Sequence, residues 1–177
     1  MYYIHFGVLR SDMSEIYLAG GCFWGLEEYF SRINGVKKTT VGYANGTTEA
    51  TDYRQVHTTD HAETVHVTYD EAVISLTDIL RYYFRVIDPL SINKQGNDVG
   101  RQYRTGIYYS VDTDLPVINK AVAHQRQKLG TELAVEIEPL RNYILAEDYH
   151  QDYLKKNPGG YCHIDVNKAY QPLTPEE

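Results

Sequence analysis

Ile16-Tyr17-Leu18-Ala19-Gly20-Gly21-Cys22-Phe23-Trp24-Gly25 carries an apolar run into two glycines, a cysteine and a pair of aromatics. The run Ile16–Ala19 reads as the end of a buried strand, and Gly20-Gly21 lets the backbone turn sharply without a Cβ penalty. From Phe23 onward the apolar residues fall at Phe23, Leu26, Phe30 and Ile33, a helical spacing that Asn34-Gly35 ends. This strand–turn–helix unit places Cys22 in the first helical turn, where unpaired amide N–H groups and the helix dipole favour thiolate over thiol. The same surroundings also suit a small core residue, the usual fate of a free cysteine. Phe23 and Trp24 beside the thiol supply an apolar wall for a small uncharged group, which favours the nucleophile.

Elsewhere strands and helices mix along the chain. Val36–Tyr43, Thr64–Tyr69, Ile107–Val111 and Leu133–Leu140 read as strands from β-branched and aromatic content or from alternation. Ser75-Leu76-Thr77-Asp78 is a capping box opening a helix with Leu76, Ile79, Leu80, Tyr83 and Ile87 on one face, stopped at Asp88-Pro89. A further helix starts at Asp114 and Pro116, buries Ile118, Ala121, Val122 and Leu129, and ends at Gly130. Glu147–Lys156 is expected to form a last short helix, with coil beyond Asn157-Pro158-Gly159-Gly160. The expectation is one α+β domain, a mixed sheet with packed helices.

At 177 residues the chain suits a single core. A net charge of −7 without a lysine/arginine cluster argues against nucleic acid and anionic membranes as partners. No apolar run is long enough to span a bilayer. Residues 1–12 lack a basic start and a cleavage site and read as an N-terminal extension, so the chain is expected in the cytoplasm. Seventeen tyrosines make abundance useless for singling out a functional one. His57, His61 and His66 have acidic neighbours but no cysteine pair or ligand motif, so no metal is expected, and the chemistry asks for no cofactor. His150 and His163 are placed to border a channel, and His163 to tune Cys162, without a decisive signal for either.

The pentapeptide Gly21–Gly25 resembles the signature of the A-type peptide methionine sulfoxide reductases, with Cys22 at the reactive position. Val41–Gly46 is similar to that family's Gly-Tyr-x-Gly-Gly turn, with Asn45 replacing a glycine at mild cost because Asn tolerates a left-handed backbone. Asp52–Val56, His61–Glu63, Gln95–Arg104, Ala146–Gln151 and Asn157–Cys162 follow in the family's order. The resemblance implies a ferredoxin-like two-layer sandwich with a long irregular C-terminal segment. It also implies reduction of methionine sulfoxide, free or in proteins, by attack of Cys22, with Glu63 as acid, Tyr53 and Tyr103 as hydroxyl donors and Asp98 organising the polar side. Phe23 and Trp24 would hold the methyl and select the S epimer. Cys162 is the other thiol; a long-loop structural disulfide and a resolving thiol are both possible pairings with Cys22, and a reducing compartment favours the second. The resulting disulfide would pass to thioredoxin, with the enzyme a monomer in a single catalytic domain over residues 13–177. A cysteine hydrolase using Cys22 with a histidine, or a non-catalytic peptide-binding module using the aromatic wall, are the alternative readings.

Overall fold

In the computed structural model, described here for residues 13–177, the strand–turn–helix unit is β1 (Met13–Gly20) followed by α1 (Phe23–Ser31). The chain continues through β2 (Val36–Ala44), α2 (Val56–Thr59), β3 (Ala62–Asp70) and α3 (Leu76–Val86). A short hairpin of β4 (Lys94–Gln95) and β5 (Asp98–Val99) precedes β6 (Thr105–Tyr109) and α4 (Leu115–Leu129). Last come β7 (Glu136–Pro139), β8 (Tyr143–Leu145) and α5 (Tyr153–Lys156). Six strands form one mixed sheet in the order β7-β6-β1-β3-β2-β8, parallel only between β6 and β7. The fold is α+β, as expected.

Strand alternation decides what each sheet face carries. On β3 the odd positions Val65, Val67 and Tyr69 join the main core with Leu26 and Phe30 of α1 and Ile79, Leu80 and Tyr83 of α3. Each such fully buried aliphatic or aromatic side chain contributes about 1.5–3 kcal/mol. Glu63 shares that odd set, so the alternation that builds the core also turns its carboxyl toward the start of α1. The opposite face is smaller, with Tyr17, Ala19, Ala44, Ala62 and Tyr108 packed together and Tyr17 stacked on His66.

Several local expectations are met in detail. Ser75 accepts the amide of Asp78 at 3.1 Å, Gly130 ends α4 in the left-handed region, and Asn45 sits at φ 54°. Asn45 also accepts from the Arg141 amide at 2.7 Å and donates to the Pro139 carbonyl at 3.0 Å, which no glycine could do. Asn45→Gly should therefore destabilise the fold by about 1 kcal/mol despite relieving the backbone, because the hydrogen bonds made by the buried Asn45 side chain are lost. Urea denaturation measures this, and an unchanged midpoint contradicts it.

Other expectations need correction. The strand expected at Ile107–Val111 is β6, Thr105–Tyr109, because Gly106 pairs with both Ala19 and Glu136 while Ser110 and Val111 have left the ladder. Of Leu133–Leu140 only Glu136–Pro139 is strand, its length set by β6. On α4 Leu129 is exposed and Gln125 is buried. Glu147–Lys156 is not one helix: Gln151 spends its side chain on the backbone of Val41, and Asp152 is left-handed, so a single 3-10 turn and the short α5 remain. The tail is not all coil, since Val166–Tyr170 forms a 3-10 helix with Ala169 in the core.

Candidate active site

Cys22 is the residue immediately before α1, at its N-cap rather than within the first turn. Gly21 holds the turn at φ +83°, and a Cβ there would stand 2.6 Å from the Gln95 side chain, so the position needs glycine twice over. Cys22, Glu63, Tyr53 and Tyr103 meet in one pocket of about 240 Å³. Phe23 and Trp24 form its apolar side, and Asp98 and Tyr161 its rim. Tyr53 comes from the loop before α2, Glu63 from the start of β3, Asp98 from the β4–β5 hairpin and Tyr103 from the turn before β6. Residues scattered over the sequence thus converge on the start of α1.

Electrostatics make this a pocket of neutral donors. Glu63 is 2% exposed and its Oε1 accepts from the Phe23 amide at 3.2 Å. Burial pushes its carboxyl up to about 8, with the nearby Asp98 charge adding to the effect and the Phe23 N–H opposing it. At neutral pH Glu63 is a carboxylic acid able to donate. Burial likewise raises the hydroxyls of Tyr53 and Tyr103, with the Glu63 charge as the next cause. Tyr161 donates to Asp98 at 3.0 Å and is pushed up to about 12, by burial first.

The expectation that the helix start makes Cys22 a thiolate is overturned for the resting site. Burial raises the thiol well above its ordinary value, and the Glu63 charge adds to it; the Trp24 amide acts in the opposite direction but is outweighed. Burial therefore holds the resting Cys22 as a thiol.

The apolar wall is buttressed from the last third of the chain. The Trp24 indole stacks on Tyr153 at 3.7 Å between centroids, and its N–H donates to His150 Nδ1 at 2.9 Å. The His150 ring also packs against Phe23 and Tyr53. Glu147 takes the Tyr43 hydroxyl at 2.9 Å and the Tyr53 amide at 3.3 Å. Glu27 of α1 is 2% exposed, pushed up to about 7 by burial, and holds the Asp152 amide at 2.8 Å. The sequence reading assigned no site role to Tyr161, Tyr153 or Glu147. For Glu147 and Tyr161 the signal lay in the segments Ala146–Gln151 and Asn157–Cys162, quoted for order and not for chemistry; Tyr153 falls between the two.

Cys162 is half-buried and lies outside this pocket. It borders a neighbouring cleft with Glu28, Arg32 and Ile164, its thiol donating to the Ile164 carbonyl at 3.0 Å. Both cysteines are free. A Cβ on Gly25 would stand 2.8 Å from Cys162 Sγ, so the thiol rests against α1 three positions after Cys22, at the same helix end.

Among the described residues no histidine lines the Cys22 pocket, which leaves a hydrolase without its base. His66 pairs with Glu15 at 2.7 Å, His61 is buried against Thr59, and no cluster of three metal-ligating side chains forms among the described residues. No helix among those residues is long and apolar enough to cross a membrane.

A buried thiol facing neutral acid and phenol donors across an aromatic wall defines a thiol-dependent oxidoreductase site. The family model described as peptide methionine sulfoxide reductase matches residues 14–177, and the chain belongs to that family of enzymes, which reduce methionine sulfoxide. Mxr1 from Saccharomyces cerevisiae in reduced form is similar, with 38% identity, TM-score 0.80 and coverage of 85% of this chain and 89% of that one. Methionine sulfoxide reductase A of Corynebacterium diphtheriae is 36% identical with TM-score 0.81, covering 87% of this chain and 79% of its own. Mxr1 in complex with Trx2 is 29% identical over this alignment with TM-score 0.58, covering 80% of this chain and 84% of that one.

Proposed function

We propose that this enzyme reduces the S epimer of methionine sulfoxide, free or in proteins, with Cys22 as nucleophile and Glu63 as acid. The observation that carries the reading is the convergence of the Cys22 thiol with the neutral hydroxyls of Glu63, Tyr53 and Tyr103 in one small pocket. Phe23 and Trp24 hold the methyl while the three donors hold the oxygen, which fixes the sulfur configuration presented to Cys22. The Cys22 sulfur attacks the sulfoxide sulfur, forming an S–S bond, as Glu63 protonates the oxygen; the substrate S–O bond breaks and the oxygen leaves as water, carrying the Glu63 and thiol protons. Water then attacks the Cys22 sulfur, the S–S bond breaks and methionine leaves as the thioether; Cys22 is left as sulfenic acid, and the proton that water gives up restores Glu63. Asp98, tied to Tyr161, keeps the polar rim in place.

Cys162 then resolves the sulfenic acid by forming a disulfide with Cys22, and thioredoxin reduces it. The half-buried position of Cys162 against the same helix end supports this, as does the existence of an Mxr1 complex with Trx2. The architecture is read as ferredoxin-like, with helices over one sheet face and the irregular C-terminal segment wrapping the site. Residues 13–177 form one catalytic domain with residues 1–12 as an extension, acting as a cytoplasmic monomer without cofactor, metal or nucleic acid; those first twelve residues lie outside the described part of the structure.

Cys162→Ser tests the cycle. The variant should form about one equivalent of methionine per enzyme and then stall with thioredoxin, having no disulfide to offer. Full thioredoxin-supported turnover would make Cys162 a bystander.

A further inference from the structure

His163 is a half-buried titratable group to which the reaction above gives no work. Its Nε2 lies 3.0 Å from the Gly20 carbonyl oxygen. A carbonyl only accepts, so Nε2 carries the ring proton and Nδ1 presents a lone pair. That Nδ1 is buried and meets no hydrogen-bond partner. It faces α1: the point where a Cβ on Gly25 would stand is 3.5 Å from Nδ1 and 2.8 Å from Cys162 Sγ. The imidazole nitrogen and the half-buried thiol therefore pack against the same spot on the helix, where a side chain at residue 25 would crowd the thiol. The backbone that fixes the ring, Gly20, is two residues before Cys22, so the imidazole is anchored to the turn carrying the thiol to be attacked.

We infer that His163 is the general base of the second half-reaction, its Nδ1 taking the proton from the Cys162 thiol as that sulfur attacks the oxidised Cys22. The inference rests on Cys162 being the resolving thiol. A thiol turns from the Ile164 carbonyl toward Nδ1; the S–H bond breaks with its proton passing to the imidazole; the Cys162–Cys22 bond forms; the S–O bond of the sulfenic acid breaks. The hydroxyl leaves as water with the Glu63 proton, and the imidazolium proton returns to Glu63 through solvent, so no outside oxidant or reductant enters. A base is needed there because burial raises Cys162, with the Ile164 carbonyl contact and Arg32 only partly offsetting it, and a thiol attacks as thiolate. Burial also lowers His163, which keeps the ring neutral with its Nδ1 lone pair free to accept a proton. The charged and titratable groups facing the pair are Asp98 from the hairpin, Glu28 and Arg32 from α1, Asp165 from the tail, and Cys22.

His163→Gln separates the two ring nitrogens, since the glutamine amide still donates to Gly20 from the Nε2 position and has no lone-pair base at Nδ1. Enzyme mixed with one equivalent of methionine sulfoxide without reductant is quenched over time, and methionine release and loss of the second free thiol are followed from pH 6 to 8, where Glu63 keeps its proton. In the variant disulfide formation should lag methionine release by about 10²-fold relative to wild type. Its rate should climb about tenfold per pH unit, tracking the thiolate fraction, while wild type stays level through neutrality. A disulfide rate equal to wild type across that range overturns the role of His163 and leaves Cys162 in place. Full turnover by Cys162→Ser removes the resolving thiol and this inference with it. The wild-type profile decides the matter even if the variant does not fold: a rate climbing tenfold per unit through neutrality shows that solvent, not His163, deprotonates the thiol.

Discussion

Cys22→Ser is expected to form no methionine from methionine sulfoxide while keeping the wild-type fold. The oxygen nucleophile is far weaker than sulfur toward an electron-poor sulfoxide sulfur, and among the described residues no histidine lines the pocket to activate it. The substitution is nearly isosteric at a 7% exposed N-cap position whose side chain makes no capping bond, and serine is itself a preferred N-cap residue. Thermal unfolding should therefore be unchanged or slightly improved while activity falls to background. Chromatographic detection of methionine beside circular dichroism on the same sample separates loss of chemistry from loss of structure. Residual turnover above the uncatalysed rate would remove Cys22 as nucleophile.

Glu63→Gln should lower the single-turnover rate of methionine formation by about 10²–10⁴-fold, because the amide still donates a hydrogen bond but delivers no proton. Substrate affinity should change much less. The acid form is the active one, so wild-type reduction should be level below about pH 8 and fall as pH rises through the raised carboxyl value. Stability carries the same signature. Between its ordinary value of 4.5 and about 8 the folded protein holds a proton on Glu63 that the unfolded chain releases. Folding stability from this group is therefore fullest below the first value and is lost as pH rises toward the second, at a cost of about 3 kcal/mol by pH 7. Glu63→Gln removes that loss, so the variant should be slower yet more stable than wild type at neutral pH. A single-turnover rate within a few-fold of wild type would take Glu63 out of the mechanism, whatever its effect on stability.

Much of this site was legible because its chemistry sits beside strong local signals. The glycine pair, the cysteine and the helical spacing after Phe23 locate the strand–turn–helix unit without reference to the rest of the chain. Asn45 was readable as a left-handed residue from its type alone, and its φ of 54° agrees. Burial of Glu63 was less legible, since a glutamate opening a strand is usually solvated; its odd position on β3 turns it toward the core once the strand is paired with β1 and β2. The segment after Glu147 was misread as helix because its local propensity gives way to tertiary bonds, with Gln151 clamped to β2 and Asp152 held by Glu27. The protonated state of Cys22 was hidden for the same kind of reason: the helix start is written in sequence, but the burial that outweighs it is made by residues from Tyr53 to Tyr161.

The central claim, that Cys22 itself accepts the oxidation from methionine sulfoxide, is tested most directly by trapping. Cys162→Ser protein is given one equivalent of substrate in the presence of a dimedone-type reagent, digested and mapped by mass. One adduct on Cys22, formed in proportion to the methionine released, is the result this mechanism requires. Methionine released with Cys22 still a free thiol would contradict it.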